Sequence, residues 1–152
     1  KYLRVGRKGS AKVYSEDSHF QIGKGIVLRE GKDAAIIACG IMVHEAMQAA
    51  EILSQDGIEV AVIDIFTIKP LDVELVKTYA RKTGTIVTAE NHNKIGGLYS
   101  AVKDALDGEA KTGYVAVEDE FGEVGPQDYL QKRFGLTSDH IARKVKETIN
   151  KK

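Results

Sequence analysis

One cysteine, Cys39, is all that 152 residues contain, so the chain can form no internal disulfide and no four-cysteine zinc site. A reducing cytoplasm is the default compartment for such a chain. Charge of one sign is not in excess either: lysine plus arginine equals aspartate plus glutamate, 22 each. That balance gives no pull toward nucleic acid or an anionic membrane, and no acidic tail. No apolar run reaches the ~18 residues of a membrane helix, and no secretory apolar region follows the N-terminus. The chain begins with lysine rather than methionine, which fits a piece of something longer.

Familiar site motifs are missing as well. Gly40 follows an apolar strand without the companion glycines of a dinucleotide turn. Gly6-Arg7-Lys8-Gly9-Ser10 fails the spacing of a phosphate-binding Walker loop. His19, His44, His92 and His140 lack metal-ligand spacing. Ser100 follows Gly-Gly-Leu-Tyr, not a nucleophile elbow. Cys39 ends a buried strand, where a small core hydrophobe is the ordinary role. No self-contained catalytic constellation is visible, so the expected set of catalytic residues is empty.

What is present reads as alternating strands and helices. The chain is 43% hydrophobic and 29% charged, enough for one domain with a sizeable core. Residues 2–6 form a short strand, followed by a linker from Lys8 to Lys12. Ile22 to Arg29 is a strand interrupted by Gly23 and Gly25, which places it at an edge. Ala34 to Cys39 is continuously apolar, as in a parallel strand buried on both faces. Val43, Ala46, Met47, Ala50 and Leu53 give a helix from Met42 to Gln55, stopped at Gly57. Glu59 to Phe66 is the next strand. Pro70 opens a helix with Leu71, Leu75, Val76 and Tyr79 inward, closed by Gly84.

A strand at Thr85–Ala89 then meets a polar, glycine-bearing stretch, Glu90 to Gly97, before a helix carrying Leu98, Ala101, Val102, Ala105 and Leu106. A strand over 113–117, an acidic loop, a short helix from Pro126 and a final helix with Ile141, Ala142, Val145 and Ile149 complete the chain. This order predicts a three-layer α/β/α fold with a mainly parallel sheet of roughly five strands and one antiparallel edge strand. Glu90, His92, Gly96 and Gly97 are then a strand-end loop at the place where such sheets bind ligands and partners. His92 is expected to bond Glu90 or a backbone carbonyl, and the bland role of the glycines is to let the chain turn and pack closely.

Several stretches together resemble the C-terminal region of transketolase. They are Val5-Gly6-Arg7, His44-Glu45-Ala46, Ala49-Ala50-Glu51-Ile52-Leu53, Asp64-Ile65-Phe66-Thr67-Ile68-Lys69-Pro70-Leu71-Asp72, and Glu90-Asn91-His92 with Gly96-Gly97. The run from Phe66 to Asp72 is the most specific; residues 113–152 match more loosely.

The resemblance implies an enzyme that moves a two-carbon ketol unit between sugar phosphates using thiamine diphosphate and Mg2+ or another divalent metal. The cofactors sit on other domains, so none is expected on this chain. Residues 1–12 would be the end of the preceding pyrimidine-binding domain and a linker, and 13–152 the C-terminal domain. That domain is structural, supports a homodimer and is inactive alone. Its partners would be the N-terminal transketolase domains or a separate subunit. Arg7 matches the family's substrate-phosphate arginine, and Arg4 is a secondary candidate; a guanidinium suits phosphate because it donates two parallel hydrogen bonds.

Deoxyxylulose-phosphate synthase and the β subunit of 2-oxo acid dehydrogenases have related C-terminal domains and remain alternatives. A stand-alone α/β ligand-binding or dimerisation module is a third. It would bind its ligand near Gly40, Phe66 and Glu90.

Overall fold

The computed structural model describes residue 9 and residues 11–151. Arg4 and Arg7 lie outside the described residues. Ten elements follow in order: β1 (Ile26–Arg29), β2 (Ala34–Ala38), α1 (Met42–Gln55), β3 (Val60–Asp64), α2 (Val73–Thr83), β4 (Thr85–Asn93), α3 (Leu98–Leu106), β5 (Lys111–Val117), α4 (Gln127–Arg133) and α5 (Ser138–Ile149).

The five strands make one sheet in the order β1-β3-β2-β4-β5. β1 runs antiparallel to β3 at one edge, and the other neighbours are parallel. β2 and β3 are buried at every position, as the apolar runs Ala34–Ala38 and 60–63 require; Asp64, the last residue of β3, is buried with them. Successive side chains alternate between faces. Ile36, Val62 and Val87 therefore meet α1 and α5 on one face, while Ile37, Ile63 and Ile86 meet α2 and α3 on the other. The expected three-layer architecture and its single antiparallel edge are both observed.

Some boundaries differ from the sequence reading. β1 starts at Ile26, not Ile22, because Gly23 takes φ +83° and turns the chain before pairing begins. α2 starts at Val73, not at Pro70: the Asp72 side chain accepts a hydrogen bond from the Leu75 N–H and caps the first turn. Leu71 sits before that cap yet still packs on the α2–α3 side of the core. β4 does not stop at Ala89. Asn93 pairs with Val117 of β5, and the Lys94 N–H donates to the Val117 carbonyl, so the strand runs on through Glu90, Asn91 and His92.

Candidate functional site

Chain direction places the carboxyl ends of β2, β3, β4 and β5 together at one pole of the domain. From β2 the chain turns onto the face of α1; from its neighbour β4 it turns onto the face of α3. Two adjacent loops that leave on opposite faces open a crevice between them, the usual binding position in open α/β sheets. Gly40 and Asn91 border it: a Cβ at Gly40 would lie 3.5 Å from Asn91 Oδ1.

Glu90 is the best-engaged side chain at this pole. It is 1% exposed. Its Oε2 accepts from the Leu98 N–H at 2.7 Å and its Oε1 from the Tyr99 N–H at 2.8 Å. These are the first two amides of α3, which have no carbonyl partner within their own helix. A carboxylate placed there also meets the positive end of the helix dipole. Burial of this charge is thus offset by two short, charge-assisted bonds. Both oxygens are committed to the fold, which leaves Glu90 poorly suited to taking a proton from a substrate.

The glycine pair serves the same cap in two different ways. Gly97 has an ordinary φ of −100°, but a Cβ there would sit 2.1 Å from Glu90 Oε2 and 2.9 Å from His92 Nδ1. Close approach therefore requires glycine at 97. Gly96 has open space around it but takes φ +75°, so conformation requires glycine at 96. His92 Nδ1 lies 2.8 Å from the Asn93 carbonyl oxygen; a carbonyl only accepts, so the ring nitrogen carries the hydrogen. Of the two partners expected for His92, the bonded one is a backbone carbonyl. Asn93 Oδ1 accepts from the Ile95 N–H at 2.8 Å, and Ser100 Oγ accepts from the Gly96 N–H at 2.9 Å. The loop is held at nearly every residue.

Two features of the pole escaped sequence reasoning. Asp64, at the end of β3, is 6% exposed; its Oδ2 accepts from the Tyr14 hydroxyl and its Oδ1 has no partner among the described residues. Burial pushes the Asp64 carboxyl above its usual range, and the Tyr14 hydrogen bond works the other way. Tyr14 is itself pushed up, first by burial and then by its bond to Asp64. Cys39 is pushed up to about 12 by burial, with the charges of Glu90 and Asp64 adding to it. The other missed contact is Glu45, which accepts from the Ser138 N–H at 2.7 Å and from Gln131 Nε2 at 3.2 Å. It thereby ties α1 to the start of α5. The sequence signal for Asp64 was an acid amid apolar neighbours, Val62, Ile63, Ile65 and Phe66; Glu45, which follows His44, carried no such signal.

Comparison with known proteins matches this domain along its length. The family described as "Transketolase, C-terminal domain" matches residues 23–141. The chain is 45% identical over 153 residues to the 6-deoxy-6-sulfo-D-fructose transketolase subunit SqwH of Clostridium sp. (strain MSTE9), covering 99% of this chain and 48% of that protein. It is 40% identical over 129 residues to 1-deoxy-D-xylulose-5-phosphate synthase of Heliobacterium modesticaldum, covering 83% of this chain and 20% of that protein. A solved structure, "Split gene transketolase, inactive beta4 tetramer", superposes with a TM-score of 0.90 at 43% identity, covering 94% of this chain and 48% of that one. The chain thus spans about half the length of the transketolase subunit and of the solved chain it matches. On the family match and the shared fold together, this chain belongs to the transketolase C-terminal domain family.

Proposed function

We propose that this chain works as the C-terminal part of a complete transketolase. That enzyme would transfer a two-carbon ketol unit between sugar phosphates in the cytoplasm, as a homodimer. The observation that carries the reading is the match through 99% of this chain to a transketolase subunit, of which it forms only about half. The activity then belongs to an assembly with N-terminal transketolase domains, fused or separate. Residues 1–12 are read as the end of a pyrimidine-binding domain plus a linker, with the C-terminal domain following from 13.

Thiamine diphosphate and a divalent metal would supply the chemistry in that assembly. The described residues do not fit them. No group of three or more His, Cys, Asp or Glu among those residues could hold a metal ion, and Glu90 is fully engaged in capping α3. Arg7 is read as meeting the substrate phosphate, with Arg4 secondary. Glu90, His92, Gly96 and Gly97 serve a strand-end loop that supports an interface. A synthase role is the second reading, favoured by the 40% identity to a deoxyxylulose-phosphate synthase over 83% of the chain.

The test is reconstitution. The isolated chain with thiamine diphosphate and Mg2+ should show no ketol transfer, and transfer should appear when the polypeptide bearing the N-terminal transketolase domains is added. Turnover by the isolated chain would overturn the reading. In the reconstituted enzyme, Arg7→Ala should raise KM for the sugar phosphate far more than it lowers kcat.

A further inference from the structure

Large apolar side chains left in water are unevenly placed on this domain. Eight are exposed among the described residues. Phe20 and Ile22 precede β1, whose first residue pairs with the last residue of β3. Ile68 and Val73 follow β3, and Ile95 follows β4. Phe121, Val124 and Tyr129 follow β5. Every one therefore lies at the carboxyl pole, and among the described residues none lies at the opposite pole. Scattered exposed apolar residues need no explanation, but a set confined to one end of a domain marks an interaction surface.

The segment between β5 and α4 makes the case strongest. Phe121 and Val124 are 98% and 103% exposed, so their side chains touch almost nothing of their own chain. Yet the segment that carries them is held from behind. Arg133 donates to Glu120 at 3.0 Å and to Glu123 at 2.7 Å. Tyr129 donates to Glu123 at 3.0 Å, and Lys94 pairs with Glu118. These polar contacts lie on the surface and brace the segment along its length, while the two apolar side chains stand clear of it in water. A braced segment that holds two large apolar side chains fully in water suits a contact surface.

We propose that this pole, centred on Phe121 and Val124, is the surface on which the cofactor-bearing portion of the transketolase docks. Two observations select that occupant over a second copy of this chain. The residues leading out of the linker lie at the same pole: Tyr14 bonds Asp64, and Phe20 stacks edge-on against Phe66 with ring centroids 5.4 Å apart. A preceding domain is thus tethered beside the patch. The segment also carries four acids, Glu118, Asp119, Glu120 and Glu123, of which Lys94 pairs with Glu118 and Arg133 with Glu120 and Glu123. A second copy would bring two such acidic segments to the same end of the complex, whereas a basic-rimmed apolar surface would complement one. The inference rests on the proposed assembly with N-terminal transketolase domains.

The test measures affinity between the 152-residue chain and a separately expressed polypeptide carrying the N-terminal transketolase domains. Three forms are compared: wild type, Phe121→Asp with Val124→Asp, and Lys32→Glu at the opposite pole. The double variant alters side chains with almost no contacts in the domain, and its circular dichroism and melting should match wild type. Support is a loss of affinity of roughly a hundredfold or more in the double variant, with Lys32→Glu within about threefold of wild type. Equal binding by wild type and the double variant overturns the docking surface while leaving the assembly intact. No binding by wild type overturns the assembly and the occupant with it. Sedimentation of each form alone provides the last arm: self-association that the double variant abolishes would assign the pole to a second copy and overturn the occupant named here.

Discussion

Replacing Glu90 with glutamine asks whether the most conspicuous buried acid of this domain holds structure or performs chemistry. The side chain keeps its shape and one acceptor oxygen, but an amide N–H2 now faces one of the two amides that the carboxylate had bound, Leu98 or Tyr99. One charge-assisted hydrogen bond is lost, a net loss of about 1.5–3 kcal/mol. The favourable placement of negative charge at the start of α3 disappears too, about 0.3–1 kcal/mol. The expected destabilisation is therefore about 3 kcal/mol, a large fraction of the stability of a domain. For a chain of this size that lowers the melting temperature by roughly 6–12 °C. Thermal melts and guanidinium titrations of the isolated chain measure it, and hydrogen exchange locates it. The Leu98 and Tyr99 amides should exchange faster relative to the rest of α3. A Glu90→Gln chain within about 0.5 kcal/mol of wild type would refute the capping role. A more stable variant would go further and mark Glu90 as a strained functional acid.

The glycine pair should respond unequally. Gly97→Ala drives a methyl into the Glu90 carboxylate and should cost about 3 kcal/mol, whereas Gly96→Ala meets open space and costs about 1 kcal/mol for its left-handed φ; denaturant titration giving the opposite order would refute the assignment. Asp64 predicts a pH dependence. Unfolded it titrates near 3.8 and folded it titrates higher, so its contribution to stability is fully present below 3.8 and is lost as pH rises through the folded value. Asp64→Asn should flatten that decline and gain on wild type as pH rises above about 3.8; an unchanged difference between the two would sink the assignment. Because the Tyr14 hydroxyl favours the ionised acid, Tyr14→Phe should destabilise more at neutral pH than at low pH, read from the same titrations.

The parts of the fold that could be read from the sequence are those where local pattern and burial agree. β2 is apolar throughout and is buried on both faces. The bounds of α1, Met42–Gln55, follow from apolar residues three and four apart and from Gly57 at φ +75° beyond its end. Reading failed where a distant partner decided. β4 extends through four polar residues because β5 offers Val117 to Asn93, a pairing that no property of residues 90–93 announces. Pro70 has the chemistry of a first helical residue, but Asp72 captures the Leu75 amide and starts the helix at Val73, three residues later than a proline rule suggests. The Tyr14–Asp64 and Glu45–Ser138 contacts join residues 50 and 93 positions apart, so no window of sequence contains both ends.

The same reasoning bears on the strand-end loop. Glu90, His92, Gly96 and Gly97 lie where a strand turns into a helix, and that much follows from periodicity. Their polarity and position suggested a strand-end loop at the place where such sheets bind ligands and partners. In the fold the loop is largely closed on itself: the Glu90 carboxylate, the His92 ring nitrogen and the Asn93 amide oxygen are each engaged by nearby backbone groups. Beside it, Ile95, Phe121 and Val124 stand exposed. The strand-end loop thus spends the polar groups of Glu90, His92 and Asn93 on its own fold, which leaves them little with which to orient a small polar substrate. The exposed apolar side chains beside it are what the proposed docking surface would remove from water.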